Sequence, residues 1–256
     1  MITKNKEQSP LVSVVMPNYN GERFVSEAIN SVLSQTYSNI ELIVVDDCST
    51  DNSPEIVKDI ARSDIRVHYI ANKTNSGVAK TRNKGIQSAR GQYIAFLDND
   101  DLWEKDKVER QLLLASQGHR IVYCSYDFVN ENGESIKKPF IVPSTTNFKK
   151  MLSSSVISCS SAFIDAELLK EHLFRTDFYH EDYLMWMELL TDVEEAAGDQ
   201  KVLMHYRQVS GSRSSSKARV AKERWKIYRE ALKLNLFKSS IAFIKYAING
   251  VLKYYL

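Results

Sequence analysis

Four short apolar, β-branched runs alternate with stretches of helical periodicity, and that alternation constrains the fold more than anything else in the chain. The runs are LVSVVM (11–16), ELIVVDD (41–47), RVHYI (66–70) and YIAFL (93–97). Apolar runs of this length, without polar alternation, are the pattern of strands covered on both faces. Between the first two lies RFVSEAINSVL, where Phe24, Val25, Ala28, Ile29, Val32 and Leu33 recur at helical spacing. DCSTDNSPEIVKDIA reads as a loop passing into a helix, with Pro54 suited to its first turn. GVAKTRNKGIQSA (77–89) is the third helix. This β-α-β-α-β-α-β order predicts an α/β fold, with a mostly parallel central sheet flanked by helices. Ligands of such sheets bind beyond the carboxyl ends of the strands. Three of those ends read PNYN (17–20), DDCSTD (46–51) and DNDD (98–101).

The second half is less regular. DKVERQLLLA (106–115) predicts a helix, IVYCSY (121–126) a strand, and Asn132-Gly133 a turn after it. HEDYLMWMELL (180–190) predicts another helix and VLMHY (202–206) another strand. A basic amphipathic helix is expected from Lys217 to about Leu234, and SSIAFIKYAINGVLKYYL closes the chain.

A chain of 256 residues can bury a substantial core, and its formal net charge of +2 argues against a nucleic-acid binder held by bulk charge. Cys48, Cys124 and Cys159 are scattered and odd in number, which suggests neither a disulfide framework nor a cysteine metal site. The N-terminus MITKNKEQSP is polar and lacks the apolar core of a signal peptide, so a cytoplasmic protein is expected.

The chemistry concentrates at DNDD. Side chains alternate along an extended segment, so Asp98 and Asp100 share a side. Paired carboxylates suit a hard cation such as magnesium or manganese bridging to substrate phosphates. They also suit a turn or a helix cap, and Asp101 in particular is placed to cap a following helical turn. Tyr19 offers a face on which a ring can stack, while Pro17 also reads as a strand terminator.

VSVVMPNYNGERFVSEAINSVLSQTY, IELIVVDDCSTDNS, NSGVAKTRNKGI and GQYIAFLDNDDLW occur in that order. Together they resemble the N-terminal half of the family 2 glycosyltransferases of GT-A fold, above all the bacterial enzymes of O-antigen, capsule and exopolysaccharide assembly. The likeness covers about residues 11–111, resumes at HEDYLMW and is looser at YRQVSGSRSSSK.

It implies an inverting, metal-dependent transfer from a nucleotide sugar, a UDP-sugar by the uracil-reading motif, to a saccharide on a lipid diphosphate. On the matching positions, Pro17 and Tyr19 wall the base, Asp47 reads it, and Arg82 lies near the nucleotide. Asp98 sits by ribose and metal, and Asp100 ligates Mn2+ or Mg2+. Asp182 becomes the general base that takes the acceptor hydroxyl proton, with Glu181 in support. The other reading of that pair is an acidic first turn favoured by the helix dipole. Trp186 is a candidate floor for the acceptor sugar, with core packing as the alternative.

Val209 and Ser210 stand where many relatives have histidine and proline, so no histidine is assigned to the metal. SGSRSSSK (210–217) is either a loop closing over the diphosphate, with Arg213 or Lys217 as counter-charge, or a plain linker. The expected division is a catalytic domain over 1–215, made of a nucleotide-sugar half (1–101) and an acceptor half (102–215), then amphipathic helices over 216–256. Those helices either lie on the inner membrane surface or pack on the domain or a second subunit. Two rival readings fit the sequence less well. A sugar-phosphate nucleotidyltransferase needs a glycine-rich basic loop after the first strand, which PNYNGERF lacks. A non-catalytic member of a polysaccharide-assembly complex would have no use for Asp98, Asp100 and Asp182.

Overall fold

The structure is a computed structural model that describes residues 9–209 and 217–255. Its N-terminal half runs β1 (Val12–Asn18), α1 (Val25–Leu33), β2 (Ile40–Asp46), α2 (Ser53–Ser63), β3 (Val67–Ala71), α3 (Val78–Ser88) and β4 (Tyr93–Phe96). These are the predicted elements in the predicted order. The strands pair in parallel as β3–β2–β1–β4, with Val12 opposite both Ile40 and Tyr93. Every residue of β1 and β2 is buried, as their unbroken apolar character requires.

The remaining elements are β5 (Leu102–Trp103), α4 (Lys107–Ala115), β6 (Ile121–Val129), β7 (Ser135–Phe140), β8 (Thr145–Thr146), α5 (Phe148–Ser153), β9 (Phe163–Asp165), α6 (Glu181–Leu189), β10 (Ala196–Arg207), α7 (Lys217–Lys226) and α8 (Leu236–Tyr255). β9 enters antiparallel between β4 and β6, and β10 then lies parallel to β6. Two reversals cancel, so β6 and β10 point the same way as β1, β2 and β4. Their carboxyl ends therefore share one edge, and residues as distant as Asn18 and Arg207 meet there.

Two apolar clusters fill the two sides of the sheet. Alternate residues of β1 divide between them, Val15 on one side and Val14 and Met16 on the other. α3 lies so close over β1 that a Cβ on Gly85 would come within 2.3 Å of Val15 Cγ1. The expected β6–β7 turn is present, with Gly133 at φ +81°.

Two sequence expectations change. The basic helix from Lys217 does not run unbroken to Leu234. It widens into a π-helical turn over Ile227–Ala231, and Lys233 takes a left-handed φ of +49°. Ile227 and Tyr228, the first two residues of that wider turn, are both fully buried in the core. Trp186 is the second correction. It is fully buried against Phe96 and Phe174, with centroid separations of 6.0 and 6.1 Å, so it is a core residue and cannot floor an acceptor sugar.

Candidate active site

The shared strand edge opens into a cleft of about 560 Å³ lined by Pro17, Tyr19, Asp47, Arg82, Asp98, Asp100 and Glu181, together with Ser76, Gly77 and Thr81 around the start of α3. Seven residues singled out from sequence thus meet in one cavity. Pro17 is the penultimate residue of β1, and Tyr19, half exposed, follows the strand.

Asp47 is more engaged than its sequence position suggests. Oδ1 accepts from Asn72 Nδ2 (2.8 Å), Ser76 N (2.9 Å) and Ser76 Oγ (2.9 Å), and Oδ2 accepts from Gly77 N (2.7 Å). Burial alone would raise its pKa, but these donors together outweigh burial and hold it below the ordinary Asp value. It therefore ties the end of β2 to the loop that starts α3, and Oδ2 keeps acceptor capacity toward the cleft.

Arg82 is buried on α3 and forks between two acids. Nη2 donates to Asp98 Oδ1 (2.6 Å) and Nη1 donates to Glu181 Oε1 (3.0 Å). Burial would discharge the guanidinium, but the surrounding negative groups, Asp98 foremost, outweigh it and keep the proton on. Strand β4 and helix α6 are joined through this one side chain. Asp182, next to Glu181, is half-buried in the first turn of α6, where its Oδ1 accepts from Tyr183 N (2.7 Å).

The three acids of DNDD have three environments. Asp101 is buried and structural. Oδ2 accepts from Ser160 Oγ (2.6 Å) and Oδ1 from Arg207 N (3.0 Å). Burial, then the charges of Asp100 and Asp98, push its pKa well up. It caps no helix, contrary to the sequence expectation, because β5 rather than a helical turn follows it. Asp98 faces the cleft with one oxygen taken by Arg82. Asp100 also lines the cleft, and among the described residues no side-chain donor or cation reaches its carboxylate. Burial and then the charge of Asp98 raise its pKa to about 6.

That donor set fits a divalent cation. A carboxylate crowded by a like charge lacks a counter-ion, and hard oxygen ligands suit Mg2+ or Mn2+. Among the described residues no three His, Cys, Asp or Glu side chains form a full ligand set. Such cations complete their shell with substrate phosphates and water.

Sequence reasoning passed over three residues that hold this edge together. Asn18 Nδ2 donates to Asp46 Oδ1 (2.8 Å) and Ser53 Oγ (2.9 Å), while its Oδ1 accepts from Asn99 Nδ2 (2.7 Å). Gly21 leaves room for that contact, since a Cβ there would come within 2.1 Å of Asn99 Nδ2. Ser160 Oγ accepts from Asp98 N (3.0 Å) as it donates to Asp101, and its carbonyl accepts from Trp103 Nε1 (2.8 Å). Arg207, at the end of β10, donates to Asp100 O (2.9 Å), Glu131 O (2.8 Å) and Glu27 Oε2 (2.7 Å). Asn18 and Arg207 lay inside the PNYN and YRQVSGS stretches and so had a signal; Ser160, in SCSSA, had none. His205, on β10, is hydrogen-bonded to Asp127 (2.7 Å) and Glu104 (3.0 Å). Arg213 lies outside the described residues, and Lys217 opens α7.

Residues 13–173 match the family described as Glycosyl transferase family 2. A putative teichuronic acid biosynthesis glycosyltransferase, TuaG of Bacillus subtilis, is 35% identical over 245 residues, spanning 95% of this chain and 97% of that protein. WfgD of Escherichia coli, named as a UDP-Glc:alpha-D-GlcNAc-diphosphoundecaprenol beta-1,3-glucosyltransferase, is 34% identical over 244 residues, 94% of this chain and 92% of that one. Among solved structures, S. aureus TarS 1–349 in complex with UDP superposes with a TM-score of 0.73 at 22% identity, covering 96% of this chain and 72% of that one.

Proposed function

The chain belongs to glycosyl transferase family 2 and has the GT-A fold; from that premise we propose that it is an inverting, divalent-metal-dependent transferase, working in the cytoplasm, that moves a sugar from a UDP-sugar to a saccharide on a lipid diphosphate in bacterial surface polysaccharide assembly. The observation that carries this reading is one cleft lined by Asp98, by the cation-seeking carboxylate of Asp100 and by Glu181, in which Arg82 bridges Asp98 to Glu181 and so to the first turn of α6, where Asp182 follows. The donor and acceptor classes take support from the printed activity of the E. coli relative and from the UDP held by the TarS structure.

In this reading residues 1–101 form the donor half and 102–215 the acceptor half. Tyr19 stacks on the base, Pro17 walls it, and Asp47 Oδ2 accepts from the uracil N3–H. Asp98 and Asp100 would hold the cation, and its charge would offset that developing on the diphosphate. Arg82 keeps Asp98 and Glu181 at fixed separation. Asp182 takes the proton of the acceptor hydroxyl as its oxygen bonds the anomeric carbon from the face opposite the diphosphate, and the nucleoside diphosphate leaves with the electron pair of the broken C–O bond. Arg213 and Lys217 supply counter-charge for the diphosphate.

The test is thermal stabilisation by a panel of UDP-sugars with and without Mn2+, followed by transfer to a lipid-diphosphate saccharide. Mn2+-dependent stabilisation by one or two UDP-sugars, with transfer of the same sugar, is expected. Stabilisation without any transfer identifies a non-catalytic relative instead.

A further inference from the structure

α8 has two opposite faces. One packs inward. Ser239 and Ala242 are buried, Phe243 meets Trp225 at 5.6 Å, and Asn249 Nδ2 donates to Ser153 O (2.8 Å) on the α5 side. Tyr246 on this face lies 4.6 Å from the guanidinium of buried Arg224, which in turn sits 3.2 Å over the ring of Tyr183. Tyr183 adjoins Asp182 on α6, so α8 stands one layer of side chains from the helix that carries the acid pair.

Among the described residues nothing packs over the other face. Phe237, Ile241, Ile244 and Ile248 recur at i, i+4, i+7 and i+11, and they are 74%, 40%, 58% and 54% exposed. Lys238 and Lys245 flank them, both exposed, and no Asp or Glu occurs after Glu230. Among the described residues no helix is long and apolar enough to cross a membrane. An apolar stripe edged by lysines on such a helix suits a position in the plane of a headgroup layer.

We propose that this face of α8 docks on an anionic lipid surface and so presents the acid pair of α6 to an acceptor anchored there. The charge pattern selects that occupant. A symmetric seam with a second copy would gather the lysines of both chains along one line, whereas acidic headgroups neutralise them. The proposal rests on the reading that the acceptor is lipid-linked, and it adds the surface by which the enzyme reaches it.

The test is co-sedimentation of the full chain with phosphatidylcholine vesicles, with and without phosphatidylglycerol. Binding is expected only to the anionic vesicles and should weaken with added salt. Ile241→Asp with Ile244→Asp, and separately Lys238→Glu with Lys245→Glu, should each lower the partition coefficient at least about tenfold. Both variants alter exposed positions, so their melting temperatures and their transfer to a short-chain, water-soluble acceptor should stay near wild type. A wild-type chain that does not sediment overturns the proposal, as do variants that sediment like wild type. So does a dimer that Ile244→Asp converts to monomer, which assigns the stripe to a second copy. Vesicle binding without sugar transfer would sink the transferase reading and spare the surface; transfer without vesicle binding would do the reverse.

Discussion

Arg82 and Glu181 stand 99 residues apart in the chain and 3.0 Å apart in the fold, and the same guanidinium holds Asp98 at 2.6 Å. The DNDD segment and the first turn of α6 are thus set against each other by one buried fork. Removing one partner of a buried charge network leaves the others unpaired. Arg82→Met is expected to cost about 3 kcal/mol of stability by chemical denaturation. Arg82→Lys should recover little of it, because a single ammonium cannot reproduce two divergent donors. UDP-sugar affinity by calorimetry should fall in both.

Asp100→Asn separates stability from function. In the metal-free protein at pH 8 this carboxylate is charged although burial and Asp98 raise its pKa to about 6. The neutral amide is expected to raise stability by about 2 kcal/mol while abolishing Mn2+-dependent donor binding. Unchanged Mn2+-dependent binding would remove Asp100 from the metal site.

Asp182→Asn should leave donor affinity within about twofold and lower the transfer rate by 10²–10⁴-fold, the range of a lost general base. Near-native turnover in single-turnover assays would pass the role to another group.

Lys107 gives a pH signature unrelated to the cleft. Its ammonium is buried on α4, 3.8 Å over the Trp103 ring, and donates to Gln111 Oε1 (2.7 Å). Burial lowers its pKa to about 8 from 10.5. Below pH 8 the lysine is protonated folded and unfolded, and the cost of burying its charge is present in full. From pH 8 toward 10.5 the unfolded chain holds more protons than the folded one, so stability rises with pH. The adjacent Cys124 thiol, pushed up to about 12 by burial, stays protonated in the folded state while the unfolded thiol ionises in that window, an opposing contribution that wild type and variant share. Lys107→Met should remove about 3 kcal/mol of this rise, read as the difference between wild-type and variant denaturation curves across the window.

The N-terminal fold was legible because parallel strands buried on both faces leave unbroken apolar runs, and helices between them leave a 3.6-residue period. β5, β8 and β9 contain two or three residues each, too few for any period, and β9 is the strand whose two antiparallel pairings align β6 and β10 with the N-terminal strands. The cleft residues were legible where spacing encodes a strand end, as for Asp47, Asp98 and Asp100. What sequence could not divide was the labour among adjacent acids. Asp98 and Asp101 differ by which of them meets Arg82 and which meets Ser160, and those partners come from residues 16 and 59 positions away. Trp186 misled for a similar reason, since a large aromatic beside an acid pair looks the same whether it faces a sugar or Phe96.

The Asp98–Asp101 segment is held at its own backbone and side chains by Ser160, Arg207 and Asn18, the last through Asn99. Its conformational entropy is surrendered when the chain folds rather than when a ligand arrives. Heat exchanged when a ligand binds this face then reports contacts made and water released, with little contribution from a loop becoming ordered.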